Sequence, residues 1–273
     1  MSRRQRFLGR LDRGFGQFLL AWEDVCLMAA DMRLRVQPAW AVVEAVARFC
    51  RRRPLTGGTA VAAVFGLLSF LLFDRPLAWF LKAHMGGDFE GFLKTVTNLG
   101  LGGVYLIPSG LLVVVLVLSA LSAPSLARRH ALFAKAWVPG FVFLSVAVSG
   151  LLNNLVKFVL GRYRPRYLFD EGLYGFTYLN HSWAMNSFPS GHSQAAFAAM
   201  TALTLVFPRY DIAFYAIAVL VAASRFLTTV HFLSDTIAGA WLGMLVTILI
   251  HRALTKRGID VRGRMERDRR LSE

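Results

Sequence analysis

The chain has 273 residues, 56% of them hydrophobic, and carries 31 Lys and Arg against 16 Asp and Glu for a formal charge of +15. That hydrophobic share is too large for a water-solvated surface and excludes disorder, a collagen-like repeat and a disulfide scaffold. In a soluble chain the basic excess would point to nucleic acid, but eleven basic residues fall in 1–54 and eight in 252–273, flanking the apolar block, as the cytoplasmic ends of a membrane protein do.

Residues 1–54 read as a basic cytoplasmic arm. Segments 18–30 and 39–50 are amphipathic, with apolar residues for the membrane surface and arginines for anionic headgroups. Ser2-Arg3-Arg4 followed by Phe7-Leu8 resembles a twin-arginine export signal only loosely, because the next apolar stretch, 18–21, is four residues long. Cys26 and Cys50 both lie in this arm, where a cytoplasmic location keeps thiols reduced and a structural disulfide is not expected.

Six apolar segments follow, at 55–73, 104–122, 137–156, 192–207, 212–230 and 233–250. A bilayer core of roughly 30 Å needs about 20 helical residues to cross it, so the sequence predicts an all-α, six-span membrane domain over 55–251, with a basic tail over 252–273. Segments 1–54 (11 basic, 5 acidic), 123–136 (Arg128, Arg129, Lys135, no acid) and the tail (8 basic, 4 acidic) are assigned to the cytoplasm. The 74–103 loop is neutral, with Arg75, Lys82 and Lys94 against Asp74, Asp88 and Glu90. Asp88 is placed to N-cap a short external helix that stops at Gly100. Loop 157–191 holds Lys157, Arg162, Arg164 and Arg166 against Asp170 and Glu171, an external basic cluster that departs from the charge rule. Gly239 and Gly243 form a small-xxx-small pair and read as a helix-packing face.

Three polar clusters fall at the external ends of spans three to six. Lys157 and Arg164 are seven residues apart, two helical turns if the helix persisted, though Gly161 and Pro165 break it. Pro189-Ser190-Gly191-His192 opens span four, and its proline and serine suit a helix start whose free N–H groups bind anions. Ser224-Arg225 closes span five, and His231 and Asp235 open span six at i and i+4, so the carboxylate can accept one ring N–H and leave the other nitrogen to attack. Three cations, a helix start, two histidines and a carboxylate describe a phosphoryl-transfer site.

Lys157-x6-Arg164-Pro165, Pro189-Ser190-Gly191-His192 and Ser224-Arg225-x5-His231-x3-Asp235 resemble, in order and without departure, the three-part signature of the type 2 phosphatidic acid phosphatase (PAP2) family. The resemblance covers about 60–250. It implies that His231 attacks phosphorus to form a phosphohistidine, that Asp235 orients His231, and that His192 protonates the leaving oxygen. It further implies that Lys157, Arg164, Arg225, Ser190 and the Gly191 N–H hold the phosphoryl oxygens, with no metal or other cofactor. Arg162 and Arg166 stay open between lipid-headgroup contacts, the favoured reading, and ligands of the phosphate; His84, His130, His181 and His251 match no motif, although His181 shares the loop with the site and could contact substrate.

The sequence therefore points to a lipid phosphate or diphosphate phosphatase of a bacterial inner membrane, both termini cytoplasmic and the site facing the periplasm. Lipid A, undecaprenyl diphosphate, phosphatidylglycerophosphate and phosphatidic acid are the candidate substrates, and no nucleic acid is expected as a partner. A lipid phosphotransferase on the same fold and a non-enzymatic anion transporter are the alternatives; a vanadate-dependent haloperoxidase shares the oxyanion site but is soluble. Loop 166–188 holds seven aromatics (Tyr167, Phe169, Tyr174, Phe176, Tyr178, Trp183 and Phe188), a composition suited to the bilayer interface and to lateral entry of a lipid.

Overall fold

The computed structural model describes residues 41, 44–179 and 185–262. Most of the N-terminal arm, including segment 18–30 and Cys26, lies outside these residues, as do His181, Trp183 and the end of the tail. The chain divides into two compact units, Met1–Gly58 and Thr59–Glu273. In the first, 44–52 is helical and Cys50 is a free thiol.

In chain order, α1 (Pro54–Leu68) leads through a π-turn (Ser69–Phe73) into α2 (Asp74–His84). Helix α3 (Gly87–Val96) and a 3₁₀ turn (Thr97–Gly100) precede α4 (Gly102–Leu121) and α5 (Leu126–Leu160). Then come α6 (Pro165–Glu171), α7 (Gly191–Val206), a short 3₁₀ turn (Pro208–Tyr210), α8 (Asp211–Leu227) and α9 (Leu233–Lys256). Among the described residues there is no strand, only isolated bridges from Arg162 to Phe176 and to Asn186.

Among the described residues, five helical segments are long and apolar enough to cross a membrane: Pro54–His84, Gly87–Leu121, Leu126–Leu160, Pro208–Leu227 and Leu233–Lys256. The predicted fourth span is α7, whose 16 residues fall short of that length. Eleven of those residues are buried, so α7 is a central helix packed on all sides by protein. Its short alanines permit this: Ala195, Ala196, Ala198, Ala199 and Ala202 are all buried, and small side chains let helix backbones approach closely in a bilayer.

The Gly239/Gly243 face packs against α7 as the sequence led us to expect. A Cβ at Gly239 would lie 2.3 Å from the Ser190 carbonyl oxygen, and one at Gly243 would lie 2.3 Å from that of Gln194. Only glycine fits at either position, and the contact fixes the start of α7 against the first half of α9.

Two boundaries differ from the sequence reading. Residues 126–136, expected as a loop, form the first turns of α5, because the run is rich in strong helix formers with no glycine or proline and Ser125 caps it by accepting the Arg128 N–H at 3.3 Å. At about 1.5 Å per residue, α5 is far longer than a bilayer core. The predicted short helix does exist, and with its 3₁₀ turn ends at Gly100, but Asp88 lies inside its first turn and Gly86 occupies the cap position without a side-chain bond.

Candidate active site

Helix α5 ends at Leu160 and Gly161 breaks it, as expected. Lys157 sits in its last turn, buried, with its Nζ reaching the Asn186 carbonyl at 3.4 Å. Arg164 is the N-cap of α6, after which Pro165 begins the helix. The Lys157 ammonium feels the charges of Arg164, Asp235 and Arg225, so cations separated by 68 residues of chain converge on one site.

Ser190 caps α7 by accepting the Ser193 amide at 3.4 Å and the Ser193 hydroxyl at 3.0 Å, which leaves its own proton to donate. The Ser190 amide donates to the Asp235 carbonyl at 2.9 Å and ties the second motif to the third. A Cβ at Gly191 would lie 3.8 Å from the Lys157 Nζ, so the backbone at the helix start runs beside that ammonium. His192 feels the charges of Arg225, His231, Lys157 and Arg164, and Gly100 backs it so closely that a Cβ there would lie 2.7 Å from the His192 Cβ.

Arg225, in the last turn of α8, donates from Nη1 to Thr97 Oγ1 at 2.6 Å, and Ser224 reaches the same hydroxyl at 3.1 Å. The Nε atoms of Arg164 and Arg225, like that of Arg162, are buried and have no hydrogen-bond acceptor in the protein. Buried donors of this kind require a partner. All eight residues singled out for this chemistry, Lys157, Arg164, Ser190, Gly191, His192, Arg225, His231 and Asp235, lie around this end of the bundle.

His231 lies in the turn between α8 and α9, buried, its amide donating to the Arg225 carbonyl at 3.1 Å. Asp235 is the third residue of α9, and its Oδ2 accepts the Phe232 N–H at 2.9 Å, the reach-back that an acid at this position makes to a helix start. The i, i+4 spacing brings His231 Nδ1 to 3.6 Å from Asp235 Oδ2, beyond hydrogen-bond range. Ser187 fills the gap, donating to Asp235 Oδ2 at 2.6 Å and lying 3.3 Å from His231 Nδ1. A serine has a single proton. With that proton committed to Asp235, the hydroxyl accepts from Nδ1–H and leaves Nε2 unprotonated. Burial pushes the His231 imidazole down to about 4, against the opposing pull of Asp235, so at neutral pH it is the free base that a nucleophile must be.

Arg162 is not a headgroup contact. It is fully buried, with Nη1 donating to Asp235 Oδ1 and to Ser234 Oγ at 2.7 Å, and Nη2 donating to Asp74 Oδ2 at 2.8 Å. Its guanidinium is surrounded by the rings of Phe232, Phe70, Tyr174 and Phe176 at 4.5, 4.9, 5.3 and 5.5 Å. Burial disfavours the charge, but Asp235 and Asp74 outweigh it and raise the Arg162 pKa above the ordinary arginine value. Arg164 is shifted the other way, by burial and then by neighbouring Arg166. Arg166 itself is exposed and donates from Nη2 to the Tyr167 hydroxyl oxygen at 3.2 Å. Asp74, Thr97 and Ser187 escaped the sequence reading. Asp74 alone left a trace, as an acid directly after an apolar run, where ionisable residues call for a functional reason.

The family model for the PAP2 superfamily matches residues 139–259. A lipid A 1-phosphatase of Rhizobium johnstonii is 34% identical over 197 residues, 68% of this chain and 77% of that protein. A lipid A 1-phosphatase of Rhizobium etli is 40% identical over 120 residues, 42% of this chain and 52% of that protein. Among solved structures, a transmembrane PAP2 type phosphatidylglycerolphosphate phosphatase from Bacillus subtilis aligns with a TM-score of 0.47 at 22% identity, over 72% of this chain and 96% of that one. Aquifex aeolicus LpxE aligns with a TM-score of 0.47 at 20% identity, over 67% and 96%. The chain belongs to the PAP2 superfamily. It is an enzyme, a multi-span membrane phosphatase.

Proposed function

We propose that the chain hydrolyses the phosphate ester of a membrane lipid, with lipid A and its 1-phosphate as the first substrate to test. Two relatives bearing that activity in their names support the choice. His231 Nε2 attacks phosphorus as the bond to the lipid oxygen breaks, His192 gives that oxygen its proton, and water then hydrolyses the phosphohistidine to release phosphate. Lys157, Arg164 and Arg225, with the Ser190 hydroxyl and the Gly191 N–H, hold the equatorial oxygens of the transferring group. The observation that supports this reading is the convergence of the Arg164 and Arg225 Nε donors, buried without an acceptor in the protein, on the same end of the bundle as the buried His231.

The test is phosphate release by the purified protein from lipid A, undecaprenyl diphosphate, phosphatidylglycerophosphate and phosphatidic acid. Lipid A is expected to give the highest kcat/KM, and preference for another member would reassign the substrate. Activity should persist in EDTA, because fixed cations supply the charge, and vanadate should inhibit as a mimic of the trigonal-bipyramidal transition state. Phosphate release that requires an added lipid acceptor would make the enzyme a transferase. The nucleophile must be unprotonated, and with its pKa held down to about 4 His231 should not reduce kcat/KM between pH 7 and pH 5. An acid limb centred near the ordinary histidine value of about 6.5 would contradict that assignment.

The charge distribution supports a bacterial inner membrane with both termini cytoplasmic and the site open to the periplasm, so the phosphate belongs to an outer-leaflet lipid. A cysteine placed at exposed Tyr178 is expected to react with an impermeant thiol reagent from the periplasmic side; labelling from the cytoplasmic side alone would reverse the orientation.

A further inference from the structure

Asp235 is gripped from three directions. Its Oδ2 accepts the Phe232 amide at 2.9 Å and the Ser187 hydroxyl at 2.6 Å, and its Oδ1 accepts Arg162 Nη1. By itself this last contact is a liability for catalysis. A guanidinium bonded to Asp235 in a buried, aromatic-lined site cancels the negative charge that a histidine nucleophile uses as it becomes cationic.

Asp74 removes the liability. Its Oδ2 accepts Arg162 Nη2 at 2.8 Å and the Ser234 hydroxyl, and its Oδ1 accepts the Ser234 amide at 3.0 Å. Asp74 is fully buried and begins α2, directly after the π-turn, while Ser234 is the neighbour of Asp235. Tyr174 completes the bracket, donating to the Phe70 carbonyl at 2.7 Å while Arg162 Nη2 lies 3.1 Å from its oxygen. Two carboxylates thus share one guanidinium. With both carboxylates ionised, the cluster of Asp74, Arg162, Asp235 and neutral His231 carries one net negative charge, and it becomes neutral when His231 turns cationic.

We propose that Asp74 and Arg162 are positioning residues for the reaction: Arg162 sets the orientation of Asp235 beside His231, and Asp74 supplies the second negative charge that keeps Asp235 effective toward a cationic imidazole. Asp74 lies outside residues 139–259 that match the superfamily. The first membrane segment is thereby part of the active-site machinery. The inference rests on His231 being the nucleophile, as proposed above.

The test uses the full-length protein in detergent and the lipid of the panel that it turns over fastest. Asp74→Asn is close in size and removes the charge; misplacing a catalytic group by about 1 Å can cost on the order of 100-fold. We expect kcat to fall by about 10-fold to 100-fold, with KM and vanadate inhibition within about threefold of wild type. Asp74→Glu should recover part of the loss. Because Asp74 acts through Asp235, the double variant Asp74→Asn/Asp235→Asn should be no slower than Asp235→Asn alone. Ser234→Ala deletes only the bridging hydroxyl and should give a smaller loss of kcat with the same non-additivity, which carries the test should Asp74→Asn not fold.

Wild-type kcat in a folded Asp74→Asn protein, fully additive losses in the double variant, or a loss confined to KM would each overturn the proposal. His231→Ala is measured alongside. Retained activity there would overturn the nucleophile assignment and the inference with it, whereas an inactive His231→Ala beside a fully active Asp74→Asn overturns the inference alone.

Discussion

The outer and inner helices of this bundle make their contributions to the site in opposite ways. In the first two apolar segments, Pro54–His84 and Gly87–Leu121, 11% of the most apolar window is buried, against 33% for Leu126–Leu160 and 39% for Leu233–Lys256. The outer pair displays apolar side chains such as Leu71, Ile107, Leu111 and Leu118, a lipid-facing surface on which many sequences serve equally well. Yet the breaks within these segments deliver single residues of high consequence: Asp74, after the π-turn, to Arg162, and Thr97 and Gly100, in the 3₁₀ turn, to Arg225 and His192. The inner helices are the reverse, with tolerance low along their length because α7 and α9 meet backbone to backbone. Burial along a helical segment therefore does not measure its importance to the chemistry; one residue at a break in a mostly exposed segment can matter more than the rest of it.

The sharpest way to break the comparison is at the inner site itself. His231→Ala should lower kcat by about 10⁴-fold or more, and rapid denaturing quench of the wild-type enzyme during turnover should trap an acid-labile phosphohistidine that the variant lacks. Next in size is Gly239→Val, which puts a branched side chain where even a Cβ would lie 2.3 Å from the Ser190 carbonyl. Loss of folded protein on size exclusion, or a large drop in Tm, is expected; a well-folded active variant would show that α7 and α9 have freedom to separate. On the outer side, Thr97→Val removes the hydroxyl bonded to Arg225, and a bond to a charged group contributes about 1.5–3 kcal/mol. A fall in kcat/KM of about 10-fold or more at unchanged Tm is the expected outcome, and no change would mean that α8 holds Arg225 without help. The smallest effect belongs to Leu111→Ala in α4, 62% exposed, which should change stability by no more than about 0.5 kcal/mol.

Much of the inner region was legible in the sequence. Apolar runs of span length marked the helices, and the three polar clusters named the eight residues found around the site. Packing explains most of what was missed. Helix α7 is short because it is enclosed by protein instead of lipid, which hydropathy does not distinguish. The 126–136 extension of α5 read as a loop because charge counting weighs side chains, while helix propensity and the Ser125 cap decide the backbone. Asp74 and Ser187 are invisible to motif reading for another reason: each acts across 44 or more residues of chain, through contacts that exist only once the bundle has closed. Arg162 was seen but assigned to the surface, since a basic residue in a loop looks solvated until its two carboxylate partners are known.

The shared guanidinium also has a consequence for the order in which the chain is made. Asp74 precedes Arg162 by 88 residues, and Asp235 follows it by 73. At about 5–20 residues per second, Asp74 is already in place when Arg162 leaves the ribosome, while Asp235 arrives about 4–15 s later. Until then Arg162 can have at most one of its two carboxylate partners, so the charges of this cluster balance only after the last helix has been made.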